Sequence, residues 1–502
     1  MPCPIKPGLL LPLHQSKKQT LAMKKFLMLS AVLAFALSAC KKDDKNEPVP
    51  VDPTATTFEV TTDPVGNVAV KITDNGKGIG TRTLYKDTVY ILDNKVFVNE
   101  GQTLTIQPGT VIKGEPGTGE AASALIVARG GKIIAKGTAN EPIIFTTLSD
   151  DVNDPDDLQT DVRGLWGGLI ILGKARINDP TGESAIEGIP TSEVRGLYGG
   201  NDDNDDSGEL SYISVRHGGA EIGAGNEING ITFGAVGSGT KVDHLEVFAN
   251  FDDGYEFFGG TVSAKYLISA YCNDDAYDWD QGFRGKLQYI VTIQKPEEGG
   301  RGFESNGVVN DASYSYNQEP LSIPVISNGT FIGHGRNSGD KQGVELRQNS
   351  GGKFYNSIFY NFASGIRIDD VSADEPIESE ARLDAGDIVF ANNLFSKIGS
   401  ATDLSGVGAD SPGNTAAKIT THLQNNNNAY NNTPGLNGLN VAAGSQGLDL
   451  SLTSGGAADN VSAFDVSTVD SFFDAVNKIG AFVSGTNWMK GWTALDEYGF
   501  LK

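Results

Sequence analysis

The sequence predicts an all-β protein: a single-stranded, right-handed parallel β-helix with coils of about 22 residues and a C-terminal capping segment. Three observations predict it. Short runs rich in Ile, Val and Leu are interrupted throughout by Gly, Pro and Asn, and 63 of the 502 residues are Gly; runs of that length between turn formers are strands rather than helices. Six tetrapeptides align, Gly230-Ile231-Thr232-Phe233, Gly254-Tyr255-Glu256-Phe257, Ala276-Tyr277-Asp278-Trp279, Gly302-Phe303-Glu304-Ser305, Gly343-Val344-Glu345-Leu346 and Gly365-Ile366-Arg367-Ile368, at intervals of 24, 22, 26, 41 and 22 residues. A second strand keeps similar time at Asp243, Lys265 and Gln288, and later at Asn328, Asn356 and Asn392. One coil cannot bury its own inner face, but coils stacked about 4.8 Å apart can. The interval of 41 residues holds one coil with a projecting loop, or two coils with one degenerate. A sandwich or barrel would need hairpin turns of roughly two to five residues, and these are scarce.

The elements follow in chain order. Met1 to Ala22 reads as neither signal nor domain, so Met23 is the expected start. Lys24-Lys25, an apolar run from Phe26 to Ala36 and then Leu37-Ser38-Ala39 form a secretory signal, too short to stay in a bilayer as a spanning helix. Cys40 directly behind Leu-Ser-Ala resembles the bacterial lipobox, which implies removal of residues 1–39 and a lipid on Cys40. The mature chain would hold 463 residues (502 − 39), and its charge would be −29, since the removed segment carries five Lys and no acid (−24 − 5). Residues 40–57 are charged and rich in Pro and Thr, the composition of a flexible tether. Its opening Lys41-Lys42-Asp43-Asp44 is similar to the surface-export signal of Bacteroidetes lipoproteins, which implies an outer-membrane anchor facing outward. Residues 58–400 are the expected β-helix, and residues 401–502 polar loops and the cap. In that last part Phe472, Phe473, Val476 and Ile479 stand at helical spacing behind the possible caps Ser467 and Thr468. No amphipathic helix is expected between Thr57 and Val461. Trp488 and Trp492 read as core.

The acidic balance excludes a nucleic-acid partner, because phosphate binding needs a basic face. Only Cys40 and Cys272 would remain after processing, so no intrachain disulfide framework is possible, and Cys272 reads as a small core residue. There is no GxSxG, HExxH or GxxxxGK[ST].

Strand alternation then assigns faces. Tyr255, Phe257, Tyr277, Trp279, Phe303, Val344, Leu346, Ile366 and Ile368 point inward, aromatics stacking on aromatics. Outward, successive coils place Thr232, Glu256, Asp278, Glu304, Glu345 and Arg367 in one column and Phe258, Asp280, Asn306, Arg347 and Asp369 in the next. Two unit charges about 4.8 Å apart repel by ~1 kcal/mol even in bulk water, so such a column needs cations, arginines or retained protons. Three readings stay open. The ladder Glu256, Phe258, Asp278, Asp280, Glu304, Asn306, Glu345, Arg347 and Arg367 binds extracellular polysaccharide in an outward groove; or Glu256, Asp278, Glu304, Arg301 and His334 catalyse its cleavage; or the acids hold Ca²⁺ for structural reasons in an adhesin. The loop at Gly200–Glu209 supplies Asp202, Asp203, Asp205, Asp206 and Glu209, oxygen-only ligands of the kind Ca²⁺ takes. The pairs Asp252-Asp253 and Asp274-Asp275 read first as turn caps and second as metal ligands.

Three motifs together, "GQTLTIQPGTVIKG…ALIVARGGKIIAKGTANEPIIFT…LWGGLIILG", "DDGYEFFGGTVSAKYL…NDDAYDWDQGFRGK" and "IGAF…NWMKGW", resemble a family of Bacteroidetes cell-surface lipoproteins with right-handed parallel β-helices, over about Val89 to Trp492. The label "multidrug transporter" carried by some members is contradicted here, since no apolar run after Cys40 is long enough to span a membrane. By analogy with other surface lipoproteins, an outer-membrane transporter is the expected protein partner. A fainter similarity is to polygalacturonases: Asn273-Asp274-Asp275, Asp252-Asp253, Gly333-His334-Gly335 and Arg367-Ile368-Asp369 echo their motifs. The order of the first two is reversed, Asp369 stands where Lys belongs, and Gly300-Arg301-Gly302 occupies the coil position of the His. A pectate-lyase-like alternative would use Glu256, Asp278, Glu304 and Arg301 with Ca²⁺.

Overall fold

The computed structural model describes residues 52, 54–223, 226–308, 317–369, 379–409, 415–483 and 485–502. The signal segment, Cys40 and most of the expected tether lie outside them. The chain winds into a parallel β-helix. Nine strands form one face: β1 (Lys95–Val98), β2 (Ala124–Val127), β3 (Leu169–Leu172), β4 (Ile231–Gly234), β5 (Tyr255–Phe258), β6 (Tyr277–Asp280), β7 (Phe303–Asn306), β8 (Gln342–Arg347) and β9 (Ser364–Ile368). Each pairs in parallel with the next. The register is the one the tetrapeptides predict, with Glu256 opposite Asp278, Asp278 opposite Glu304, Glu304 opposite Glu345 and Glu345 opposite Arg367. The tetrapeptides open on a small residue for a packing reason: a Cβ at Gly230 would strike Val247 and one at Gly254 would strike Ser269.

The other two faces come from single strands bent in the middle. Ser263–Ala270 is bent at Tyr266, where φ is 60°, and its two halves pair with Lys286–Gln288 and Val291–Ile293 of the next coil. This bend repeats as a column of left-handed residues: Tyr212, His244, Tyr266, Tyr289, Asn328, Asn356 and Asn392. The asparagines are those the sequence period marks, and Asn tolerates that backbone. The first four are aromatic instead, and their rings stack at 4.3, 4.2 and 4.9 Å between centroids. Stacking offsets the backbone cost where no small side chain is available.

The interior is one continuous apolar column. Phe233 stacks on Phe257 at 5.3 Å, Tyr255 on Tyr277 at 5.3 Å, and Tyr277 on Phe303 at 5.3 Å. The buried phenols are satisfied: Tyr255 Oη donates to Leu245 O at 2.8 Å, and Tyr277 Oη to Val291 O at 2.9 Å.

Three expectations about the C-terminal part are corrected. The segment around Phe472 and Ile479 is not helical; it forms turns after a short 3-10 element at Val466–Thr468. Nor does the tail cover the open end of the coils. Phe482, Met489, Trp492, Leu495, Phe500 and Leu501 lie against Phe248, Ile268, Ala270, Tyr271, Val291 and Ile293, along the side of the helix. Glu246 fixes it there by accepting the backbone N–H groups of Ala494 (2.7 Å) and Leu495 (3.2 Å), and buried Arg216 pairs with Glu497 at 2.7 Å. The C-terminal end of the core is met instead by the helix Ala416–Asn425, which buries Ile419 and Leu423 in the central column and so corrects the expectation of no amphipathic helix between Thr57 and Val461. Its apolar stripe is only two residues wide, which is why the sequence does not announce it.

Candidate functional site

The outward column of β5 to β9 is where the chain concentrates charge, and the structure divides it into two halves. Along β7 to β9 arginines neutralise the acids. Arg301, in the turn before β7, reaches Asp275 at 3.2 Å, Glu304 at 3.4 Å and Asp340 at 2.6 Å, and also holds Glu345. Arg367 bridges Glu345 at 2.9 Å and Asp369 at 3.0 Å, while Arg347 holds Glu304 and donates to Asn306 Oδ1 at 3.0 Å. Of these side chains Asp275 and Glu345 are the most shielded, each 1% exposed, so the attraction of Arg301 for them is stronger than in bulk solvent.

Along β5 and β6, Asp275 alone is held by an arginine; among the described residues no arginine pairs with Glu256, Asp278, Asp252, Asp253, Asp274 or Asp280. These acids have one another and Glu187 as charged neighbours. Two ionised carboxylates one rung apart would repel by about 3.5 kcal/mol at an effective dielectric of 20, so protons are retained. Burial first, and neighbouring acids second, push Glu256, Asp253 and Asp278 well above the ordinary carboxylate range. The same causes raise Glu187 to about 7, Asp252 to about 8 and Asp274 to about 7. Burial raises Asp280 to about 6. Asp278 Oδ1 has no hydrogen-bond partner among the described residues.

The groove expected over this column is not open. Glu256, Asp278 and Glu345 are only 6, 7 and 1% exposed. The excursion between β3 and the strand Gly208–Arg216 folds back as a roof over residues 174–200. Ile177, Ile186, Ile189 and Tyr198 of the roof pack on Ile126, Ile170, Leu172 and Phe258. Phe258, an expected ligand contact, is thereby buried, its ring 5.8 Å from that of Tyr198. The roof is pinned by Asn178 Nδ2, donating to Gly307 O (2.6 Å) and Pro320 O (3.2 Å), and by Tyr198 Oη, donating to Gln281 Oε1 at 2.7 Å. Glu187 brings its carboxyl into hydrogen-bonding contact with Glu256. No periodic signal marks this roof, because it belongs to an insertion between coils.

Of the expected catalytic set, Glu256, Asp278 and Glu304 stand on successive coils and Arg301 reaches Glu304, while His334 and Arg301 are engaged by the protein. His334 is buried; its Nε2 faces the carbonyls of Gly300 and Asp340, both at 3.1 Å, and its Nδ1 accepts from Arg336 N at 2.9 Å. With both ring nitrogens engaged it has no lone pair for a substrate. Arg301, spread over four carboxylates, holds its charge too firmly to act as a base.

The loop expected to bind Ca²⁺ spends three of its five acids on cations of the protein. Asp203 takes Arg176 and Arg284 (3.2 Å), Asp206 takes Lys132 at 2.6 Å, and Glu209 takes Lys136 at 3.0 Å. Asp202 and Asp205 accept from Asn204 N at 3.0 Å and Ser207 Oγ at 3.3 Å. The convergent oxygens lie elsewhere: ligand atoms of Asp252, Asp253 and Asp274 all fall within 4.8 Å of one another. Asp253 also caps the next coil, accepting from Asp275 N at 2.9 Å. Both readings of the aspartate pairs therefore meet in the same residues.

The roof makes a second feature the sequence does not show. Between it and the turns after β1 and β2 lies a cavity of about 730 Å³, lined by Asn99, Glu100, Arg129, Lys174, Arg195 and Asn201 among others. Arg195 lies over the ring of Phe97 at 3.8 Å and pairs with buried Asp74 at 2.8 Å. Arg129 donates to Gly199 O at 2.9 Å, and Lys174 pairs with Glu100 at 2.9 Å. A cavity of this size with a few fixed polar groups is of the kind that holds small ligands.

Stacked coils, an inward aromatic column and an outward charged ladder define the class as parallel β-helix. Residues 76–493 match the model of the pectate-lyase-like β-helix domain, and the chain belongs to that family. No curated protein matches it. A solved structure described as "Crystal structure of Agl-KA catalytic domain" is similar at 11% identity and a TM-score of 0.24, over 62% of this chain. The chain spans 58% of that chain's length. No helix among the described residues is long and apolar enough to cross a membrane.

Proposed function

We propose that this chain is a lipid-anchored, outward-facing protein of a bacterial outer membrane, of the Bacteroidetes surface-lipoprotein type, that binds extracellular polysaccharide without cleaving it. The signal, the lipobox at Cys40 and the Lys-Asp-Asp run behind it support the anchor and its orientation. Membership of a pectate-lyase-like family supports polysaccharide as the ligand class. The observation that carries the non-catalytic reading is the state of the ladder. The acids of β5 and β6 lie under a pinned roof, and those of β7 to β9 are held by arginines. A polymer would have to displace the roof to reach the acids of β5 and β6, and on β7 to β9 it would meet acids already paired with arginines. The binding role falls to the cavity beside the roof, where Arg129, Lys174 and Asn201 offer donors to sugar hydroxyls or carboxylates. An outer-membrane transporter is the protein partner that such an anchor would serve.

The test is incubation of the mature protein with a panel of neutral and acidic polysaccharides, followed by product sizing and by retention on the immobilised polymers. Intact chains with retention that falls about tenfold in Lys174→Ala or Arg129→Ala are expected. Shortened chains, lost in Glu256→Gln, would overturn this reading in favour of an enzyme.

A further inference from the structure

The N-terminal end of the β-helix carries a surface unlike the rest of the molecule. Thr57–Thr62 and Val68–Thr73 form an antiparallel hairpin at the first coil. Its base is tied into the core: Ile72 is buried in the central column, Phe58 and Val70 pack on it, and Arg82 lies over the Phe58 ring at 3.6 Å. Its tip projects. Val60, Val65 and Val68 are 75, 47 and 61% exposed, and Tyr85, whose backbone N–H is bonded to Tyr90 Oη at 2.9 Å, is 55% exposed. Tyr90 pairs with Val70, and Val70 with Val60, so the four belong to one end of the molecule.

The tip is also without net charge. One residue in five is charged over the whole chain, yet between Val60 and Val70 the single charged residue is Asp63. Asp63 is buried, paired with buried Lys113 at 2.9 Å, and it closes the turn by accepting from Asn67 N at 2.8 Å. What the turn shows to solvent is Thr62, Pro64, Val65, Gly66, Asn67 and Val68.

We propose that this hairpin tip is a membrane contact, seated on the lipid surface that holds the Cys40 anchor. The inference rests on the lipid-anchor reading above. Cys40 precedes Thr57 by 17 residues (57 − 40), and a chain of that length spans at most about 60 Å when fully extended, which sets the longest reach between the anchor and the hairpin. A mature chain with a net charge of −29 (−24 − 5) is repelled by anionic headgroups. An uncharged, valine-rich tip is the part that can enter the interface beside the anchor.

The experiment uses the whole mature chain with Cys40→Ser, which removes the lipid and leaves the tip. It is sedimented with vesicles of phosphatidylethanolamine and phosphatidylglycerol. The protein is expected to partition onto the vesicles, the Val60→Ser/Val65→Ser/Val68→Ser variant to partition about tenfold less, and Val469→Ser, an exposed valine in the C-terminal segment, to behave as the parent. Thermal unfolding of each variant shows that the fold is kept. Equal sedimentation of parent and triple variant overturns the proposal. So does a dimer seen by analytical ultracentrifugation and lost in the triple variant, which would assign the tip to a second copy. The mass of the natural mature protein tests the anchor separately: an unmodified Cys40 sinks the anchor reading, whatever the vesicles show.

Discussion

Replacing Glu187 by Gln tests whether the roof is seated on a proton. Glu187 is pushed from 4.5 to about 7 by burial and by the neighbouring Glu227, and it shares a hydrogen bond with Glu256. Because its folded value lies above its unfolded one, the folded protein binds more protons than the unfolded chain between pH 4.5 and 7. The stability associated with this group is therefore fully present below pH 4.5 and is lost as the pH rises through 7. A shift of about 2.5 units corresponds to roughly 3 kcal/mol, at 1.36 kcal/mol per unit, an upper bound because Glu256 titrates with it. Glutamine keeps the hydrogen bond and cannot ionise. Thermal unfolding of the parent should fall by several degrees between pH 5 and 8, and that of Glu187→Gln should fall less. Hydrogen exchange over 174–200 should quicken with pH in the parent alone. Parallel melting curves for parent and variant from pH 5 to 8 would refute the shared-proton account.

Further outcomes follow from the same geometry. Arg301→Met should cost about 3–5 kcal/mol in urea unfolding, since it leaves Asp275 and Glu345 buried without that counter-charge; a loss under 1 kcal/mol would show that the ladder is not held by Arg301. Millimolar Ca²⁺ at pH 8 should raise the melting temperature of the parent, and Asp252→Asn/Asp274→Asn should abolish that rise, because those two carboxylates and Asp253 are the convergent oxygens. A rise kept in the double variant but lost in Asp202→Asn/Asp205→Asn would return the cation to the loop at Gly200–Glu209. Leu423→Ala should destabilise by about 2–5 kcal/mol, as expected for a core leucine. A change within 0.5 kcal/mol would mean that the helix Ala416–Asn425 is not part of the core.

The coil period, the strand register and the inward and outward faces were legible in the sequence, because each depends on residues about 22 positions apart or alternating along one strand. The stacked pair Tyr255 and Tyr277 follows from that arithmetic alone. The bend column was legible only in part. Asn328, Asn356 and Asn392 mark it by their tolerance of left-handed backbone, whereas Tyr212, Tyr266 and Tyr289 sit there because their rings stack, which is a relation between coils. Helical spacing at Phe472, Phe473, Val476 and Ile479 misled because a segment packed sideways onto a sheet also needs apolar residues at irregular intervals.

The charged ladder shows the division most plainly. That Glu256, Asp278, Glu304 and Glu345 share one column is a property of the repeat. Whether the column is a groove or a buried, neutralised seam is decided by residues the repeat does not govern: the roof at 174–200, Arg301 in a turn, and Asp340 in the loop before β8. A periodic sequence determines nearest-neighbour relations, since each coil meets only the coils beside it. Insertions answer to no period, and burial, protonation and access all depend on where they come to rest.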